Sequence, residues 1–204
     1  MAYAVNHHRR LAIVGNSNAD DLHNMWQSRW GEEPDTTVNF YGRRGARVIN
    51  HDLTTFKDEF LDSILQWRPH YVIIWLGGND LNQDLRHGEW NDQHFRPVFE
   101  AFMELCNAIA EGIRPHGGLI LMMPLVPRTK LRYGESTRTY FKSVRSFNNR
   151  FRRLPKAMQA TSCYELAGFH AFRKDGDALR DGVHFTFLIL NAICVDIRRN
   201  YFEF

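Results

Sequence analysis

Several things are scarce in this chain, and each shortage excludes something. There are only three cysteines in 204 residues, Cys106, Cys163 and Cys194. They are odd in number, far apart and set among apolar neighbours. That excludes a disulfide framework and a cysteine-rich metal module, and reads as buried thiols in a reducing compartment. No apolar run approaches the roughly 18 residues needed to cross a bilayer. Met1 to Arg10 is polar and has no apolar h-region, so no secretory signal is read there and a cytoplasmic location is expected. The formal net charge is only +3, too mild to require a nucleic-acid partner. Its histidines, including His7, His8, His87 and His94, show no HExxH or comparable ligand spacing. Neither a metal nor a cofactor is expected. No repeat, low-complexity tract or linker divides the chain.

What is present is an ordinary globular balance. Hydrophobic residues make up 44% and charged residues 24%, which suits one domain over residues 1–204 with a core of its own. Apolar periodicity predicts strands at Leu11 to Gly15, Thr36 to Tyr41, Tyr71 to Leu76, Gly118 to Met123 and Ser162 to Leu166. Helical spacing predicts helices at Asp20 to Trp30, Asp52 to Trp67, Pro97 to Arg114, Ser136 to Leu154 and Thr186 to Tyr201. Asn82 to Gln93 is polar without a period and reads as a surface loop. Trp26 and Trp30 lie on a helix stripe and read as core. Strand and helix alternate throughout, so the fold class is α/β with a parallel sheet and right-handed crossovers.

In such a sheet, ligands gather at the carboxyl ends of the strands. Four loops at that edge carry chemistry. The first holds Asn16 and Ser17, with the serine hydroxyl near the start of a helix. The second holds Gly45. The third is Gly77-Gly78-Asn79-Asp80, and the last is Asp181-Gly182-Val183-His184. Acyl transfer from an ester needs a hydroxyl nucleophile, a base and a group to orient that base. It also needs donors aimed at the oxyanion. Ser17, His184 and Asp181 can fill the first three roles. The N–H of Ser17, the N–H of Gly45 and the side-chain amide of Asn79 can fill the last, since an amide NH2 donates without adding charge.

The order of these blocks resembles the SGNH hydrolases, also called GDSL esterases and lipases. Serine follows strand one, glycine follows strand two, a G-x-N-D follows strand three, and a D-x-x-H stands near the C-terminus. The resemblance spans about residues 11 to 200. It implies a three-layer α/β/α sandwich with a flavodoxin-like five-stranded parallel sheet of order 2-1-3-4-5. It also implies metal-free hydrolysis of a small or medium acyl ester through an acyl-enzyme, with transfer to an alcohol open to the same triad. One departure stands out: Asn16 occupies the position where the family usually has aspartate.

Each residue also has a plainer reading. Serine at a helix start is a common cap, Asp-Gly is a common turn, and Gly42 competes with Gly45. Asp80 reads as a brace for its loop. The basic clusters Arg43, Arg44, Arg47 and Arg150, Arg152, Arg153, Lys156 read as solvated faces. The rival function is a catalytically weak module holding RNA or another polyanion on those basic loops.

Overall fold

A computed structural model of the protein describes residues 8–31, 33–83, 92–128, 137–154, 161–163, 179–181 and 183–202. Five strands form one parallel sheet: β1 (Arg9–Gly15), β2 (Thr36–Gly42), β3 (Tyr71–Trp75), β4 (Leu119–Met122) and β5 (Thr161–Cys163). Their order is β2-β1-β3-β4-β5, as the resemblance implied. The helices are α1 (Ser17–Trp30), α2 (Phe56–Gln66), α3 (Gly78–Gln83), α4 (Asp92–Ile113), α5 (Thr137–Phe151) and α6 (Phe187–Ile197).

Strand alternation builds the three layers. In β1, Leu11 and Ile13 point to one face, and Ala12 and Val14 to the other. Leu11 and Ile13 join Ile73, Trp75 and Leu121 in a core with Leu22 and Trp26 of α1 and Ile193 and Ile197 of α6. Ala12 and Val14 join Val72, Ile74 and Ile120 in a second core with Ile64 of α2, Phe102 and Ile109 of α4, and Phe147 of α5. Both faces of the sheet are thus covered, which is why β3 is apolar at every buried position. The sequence reverses direction at the β1–β3 neighbours, and the loops that follow these two strands part to either side.

The strand ends sit close together. Gly15 pairs with Gly42 on one side and Trp75 on the other. A Cβ on Gly15 (φ +147°) would lie 2.1 Å from the Trp75 carbonyl oxygen. A Cβ on Gly42 would lie 2.0 Å from the carbonyl oxygen of Gly15. Gly42 is therefore an end-of-strand spacer, and that close approach is its use.

Several boundaries differ from the sequence expectations. Helix α1 begins at Ser17, not Asp20, because Asn16 caps it. Helix α2 begins at Phe56, not Asp52. Asp52 instead accepts from the Thr54 N–H at 3.1 Å, and Thr55 and Asp58 close a capping box. Helix α3 begins at Gly78, inside the stretch Gly77 to Asp80 that the sequence presents as a loop; it is short and polar, with no apolar stripe to announce it. Helix α4 starts before Pro97 and contains it. Its first turn is mostly polar, so periodicity began only at Val98. The chain closes with α6 followed by a π-helical segment, Arg198–Phe202, instead of one continuous helix. Helix α5 ends at Phe151, short of the expected Leu154. Strand β5 begins at Thr161, one residue earlier than expected, and residues 164–166 of the expected strand lie outside the described residues. Residues 84–91 of the expected surface loop lie outside the described residues, as does the Cys163 side chain. Cys106 and Cys194 are buried and form no disulfide, and burial pushes the Cys194 thiol up to about 12.

Candidate active site

The first loop is short because helix α1 begins almost as soon as β1 ends. The Asn16 side chain accepts from the Asn18 N–H at 3.0 Å and so caps the helix. The cap is thus Asn16 and not Ser17. An amide oxygen accepts that N–H as a carboxylate would, so the asparagine keeps the cap without the charge. Ser17 becomes the first helical residue, 8% exposed. Its own N–H has no intrahelical acceptor, and it lies at the positive end of the helix.

The last loop folds back on itself. Leu179 and Phe185 form an isolated antiparallel bridge, and the Arg180 N–H donates to the His184 carbonyl at 2.9 Å. Phe185 is fully buried, its ring 5.5 Å from that of Trp75. This anchors His184 over the end of β3. The Asp181 Oδ1 accepts from the Val183 N–H at 2.9 Å and the His184 N–H at 2.8 Å. Its Oδ2 lies 2.6 Å from His184 Nδ1. The other ring nitrogen, Nε2, lies 2.9 Å from Ser17 Oγ. An ionised carboxylate can only accept, so Nδ1 carries the proton and Nε2 accepts from the serine hydroxyl. Burial by itself would raise the Asp181 carboxyl. The hydrogen bonds from the His184 ring and from the two N–H groups outweigh it and hold the group well below the usual carboxylate range.

The second and third loops are stitched together by α3. Asp80, 3% exposed, accepts from the Val48 N–H through Oδ2 and the Ile49 N–H through Oδ1, each at 3.0 Å. It is the brace the sequence suggested, and it braces the neighbouring loop. The Asn79 Nδ2 donates to the Ala46 carbonyl at 2.8 Å, which brings its amide to the residue after Gly45. Gly45 has φ +82°, which favours glycine, and a Cβ there would have no atom within 4 Å. It lines a cavity of about 750 Å³ shared with Arg43, Arg47, Asn50 and His51. Of the two glycines, Gly45 therefore faces open space and Gly42 does not.

Two features had no signal in the sequence. Arg128, in the loop after β4, donates to the Asn79 Oδ1 at 2.7 Å. Asp21 of α1 accepts from Arg180 at 2.8 Å and from Arg44 at 3.3 Å, so one carboxylate ties the loops carrying Gly45 and His184 to the serine helix. The first basic cluster is largely occupied: Arg43 pairs with Glu59, Arg44 with Asp20 and Asp21, and Arg47 is buried. Among the described residues, no group of three or more metal-ligating side chains gathers, and no helix is long and apolar enough to cross a membrane.

The model of the GDSL-like lipase/acylhydrolase family matches residues 11–187. None of the curated proteins matches the sequence. Solved structures that resemble this one include a GDSL-like lipase from Bacteroides thetaiotaomicron, with TM-score 0.64 and 17% identity over 98% of this chain and 92% of that one. An acetylxylan esterase from Geobacillus stearothermophilus has TM-score 0.60 and 16% identity over 94% and 93%. A psychrotrophic esterase from Pseudoalteromonas has TM-score 0.60 and 12% identity over 96% and 100%. At such identities the likeness is one of fold.

Proposed function

The chain belongs to the GDSL-like lipase/acylhydrolase family, and from that premise we propose that it is a serine esterase for a small or medium acyl ester. Residues 1–204 form one domain that carries the whole site. The observation behind this reading is the run of contacts from Ser17 Oγ to His184 Nε2, 2.9 Å, and from His184 Nδ1 to Asp181 Oδ2, 2.6 Å. It joins residues 167 apart in sequence.

The steps follow from that geometry. His184 Nε2 takes the Ser17 proton as Oγ attacks the ester carbonyl, and Asp181 steadies the imidazolium that forms. The carbonyl oxygen becomes an oxyanion, met by the Ser17 N–H, the Gly45 N–H and the second Nδ2 hydrogen of Asn79. His184 then gives its proton to the leaving alcohol, and an acyl-enzyme remains. Water, deprotonated by the same nitrogen, releases the acid and regenerates the serine. An alcohol in place of water would give acyl transfer by the same path. No step needs a metal or a cofactor. The buried thiols of Cys106 and Cys194 support a reducing, cytoplasmic setting.

Binding of RNA or another polyanion is the weaker reading, because Arg43 and Arg44 already hold carboxylates. The test is labelling by a fluorophosphonate with peptide mapping, alongside hydrolysis of a p-nitrophenyl ester. Label is expected on Ser17, and Ser17→Ala is expected to lose about 10³-fold or more in kcat while keeping its fold. Full turnover in that variant would refute the mechanism.

A further inference from the structure

We propose that Arg128 is a positioning residue for the oxyanion donor Asn79. It sets which way the carboxamide points and strengthens it as a donor. The proposal rests on the esterase reading above.

A carboxamide can present either its oxygen or its NH2 by a half-turn of its last bond, and its neighbours decide which. At Asn79 the two neighbours are each of one kind only. The Ala46 carbonyl can only accept, and it takes a hydrogen from Nδ2 at 2.8 Å. The Arg128 guanidinium can only donate, and its Nη2 gives one to Oδ1 at 2.7 Å. The turned-over amide would set N–H against guanidinium and oxygen against carbonyl oxygen. Between them, the two partners leave one orientation. The remaining Nδ2 hydrogen then points in a fixed direction instead of sweeping, which is what a preorganised oxyanion donor requires.

The bond to Oδ1 also comes from a cation. It is charge-assisted, and it draws electron density toward the amide oxygen. The Nδ2 hydrogens become more positive, by the polarisation that runs along linked hydrogen bonds. The benefit grows as the oxyanion forms, so it belongs to the transition state more than to substrate binding.

Arg128 is itself held in place. Three residues before it, Leu125 is 3% exposed, and Asn148 of α5 clamps its backbone. The Asn148 Oδ1 accepts from the Leu125 N–H, and its Nδ2 donates to the Leu125 carbonyl, both at 2.8 Å. Asn148 is 4% exposed, so this pair is shielded from water. The guanidinium then passes over Gly78, 3.8 Å from where a Cβ of that residue would lie. Buried amide, clamped loop, arginine and oxyanion donor form one continuous chain of contacts. Arg128 thus acts through Asn79.

A double-mutant cycle tests this on the full chain with p-nitrophenyl acetate. Asn79→Ala is expected to lower kcat by about 10²- to 10³-fold, as for loss of one oxyanion donor. Arg128→Ala should lower kcat by roughly 10- to 50-fold with KM within about twofold, because part of that same donor is lost. In the Asn79→Ala background, Arg128→Ala should cost less than about twofold more. Arg128→Lys should recover part of the loss, since an ammonium also donates and carries charge. Arg128→Met keeps the aliphatic stem and serves if the alanine variant fails to fold. The Asn79 carboxamide proton resonances should shift in the Arg128 variants at unchanged circular dichroism. An equal loss in the Asn79→Ala background, a change in KM alone, or an unchanged kcat would each overturn the role of Arg128. A wild-type protein with neither hydrolysis nor label on Ser17 would instead overturn the esterase reading, so the two failures are distinct.

Discussion

Replacing Asp80 with asparagine isolates the most deeply buried carboxylate beside the site. Asp80 is 3% exposed, and burial is the largest influence on it. The Val48 and Ile49 N–H groups and the charge of Arg47 work in the opposite direction, but the group is still pushed up to about 7. An unfolded aspartate titrates near 3.9. The folded protein therefore holds this proton more tightly than the unfolded chain does. For an acid raised on folding, the stabilising contribution is complete below about pH 4 and declines as pH rises through about 7. Carried through the two titration curves, the fall between pH 5 and pH 8 is about 2.5 kcal/mol, an upper limit that relaxation of the loop would reduce. Asparagine stays neutral at every pH, so Asp80→Asn should lack this fall. It sets an NH2 against one backbone N–H, which should cost about 1–3 kcal/mol at pH 5. Urea denaturation followed by circular dichroism at pH 5, 6, 7 and 8 measures both effects. If wild type and Asp80→Asn lose the same stability between pH 5 and pH 8, then Asp80 is not the buried acid the structure describes.

Two further perturbations test the frame around the serine. Asp181→Asn should lower kcat by about 10²- to 10⁴-fold with KM little changed, because the amide holds the imidazole less firmly and cannot balance its charge. Since the Asp181 carboxyl is held well below the usual range, loss of activity on acidification to pH 5 should not be traced to it; a kcat in the variant equal to wild type would remove it from the mechanism. Gly15→Ala would place a Cβ 2.1 Å from the Trp75 carbonyl oxygen, a backbone atom that cannot swing aside. A loss of about 3 kcal/mol or more is expected, seen as a large drop in Tm or failure to fold, whereas an unchanged Tm would contradict the close approach of β1 and β3.

Much of the fold was legible because both local periods are strong. The helix stripes Val98, Phe102, Leu105, Ile109, Ile113 and Tyr140, Val144, Phe147, Phe151 are buried throughout. The apolar run at Tyr71 to Leu76 contains the central strand, Tyr71–Trp75. Element starts were less legible. Asn16 and Thr55 each form a cap with a side chain, and such caps decide the first helical residue without altering the apolar period. Helix α3 is six residues long and buries little beyond Leu81, so it has no stripe to find. At the site, residue type and loop position single out Ser17, Asp181 and His184, and the His184 ring lies within hydrogen-bonding distance of both of the others. Arg128 carries no such mark, because nothing in a proline-containing loop shows which arginine will meet an amide 49 residues away.

By itself the sequence determined the alternation of buried strands and striped helices, and which loops carry a serine, an asparagine, an aspartate and a histidine. Both are local properties, carried by spacing and by side-chain chemistry. Only the tertiary structure decided that Asp21 ties three segments together, that Asp80 and Asn79 hold the loop of Gly45, and that Arg43 and Arg44 hold carboxylates. These are encounters between groups distant in the chain, and they depend on where the parallel sheet places the loops at its carboxyl edge. Sequence can say that a charge exists, but its partner is known only when the backbone has brought the two together.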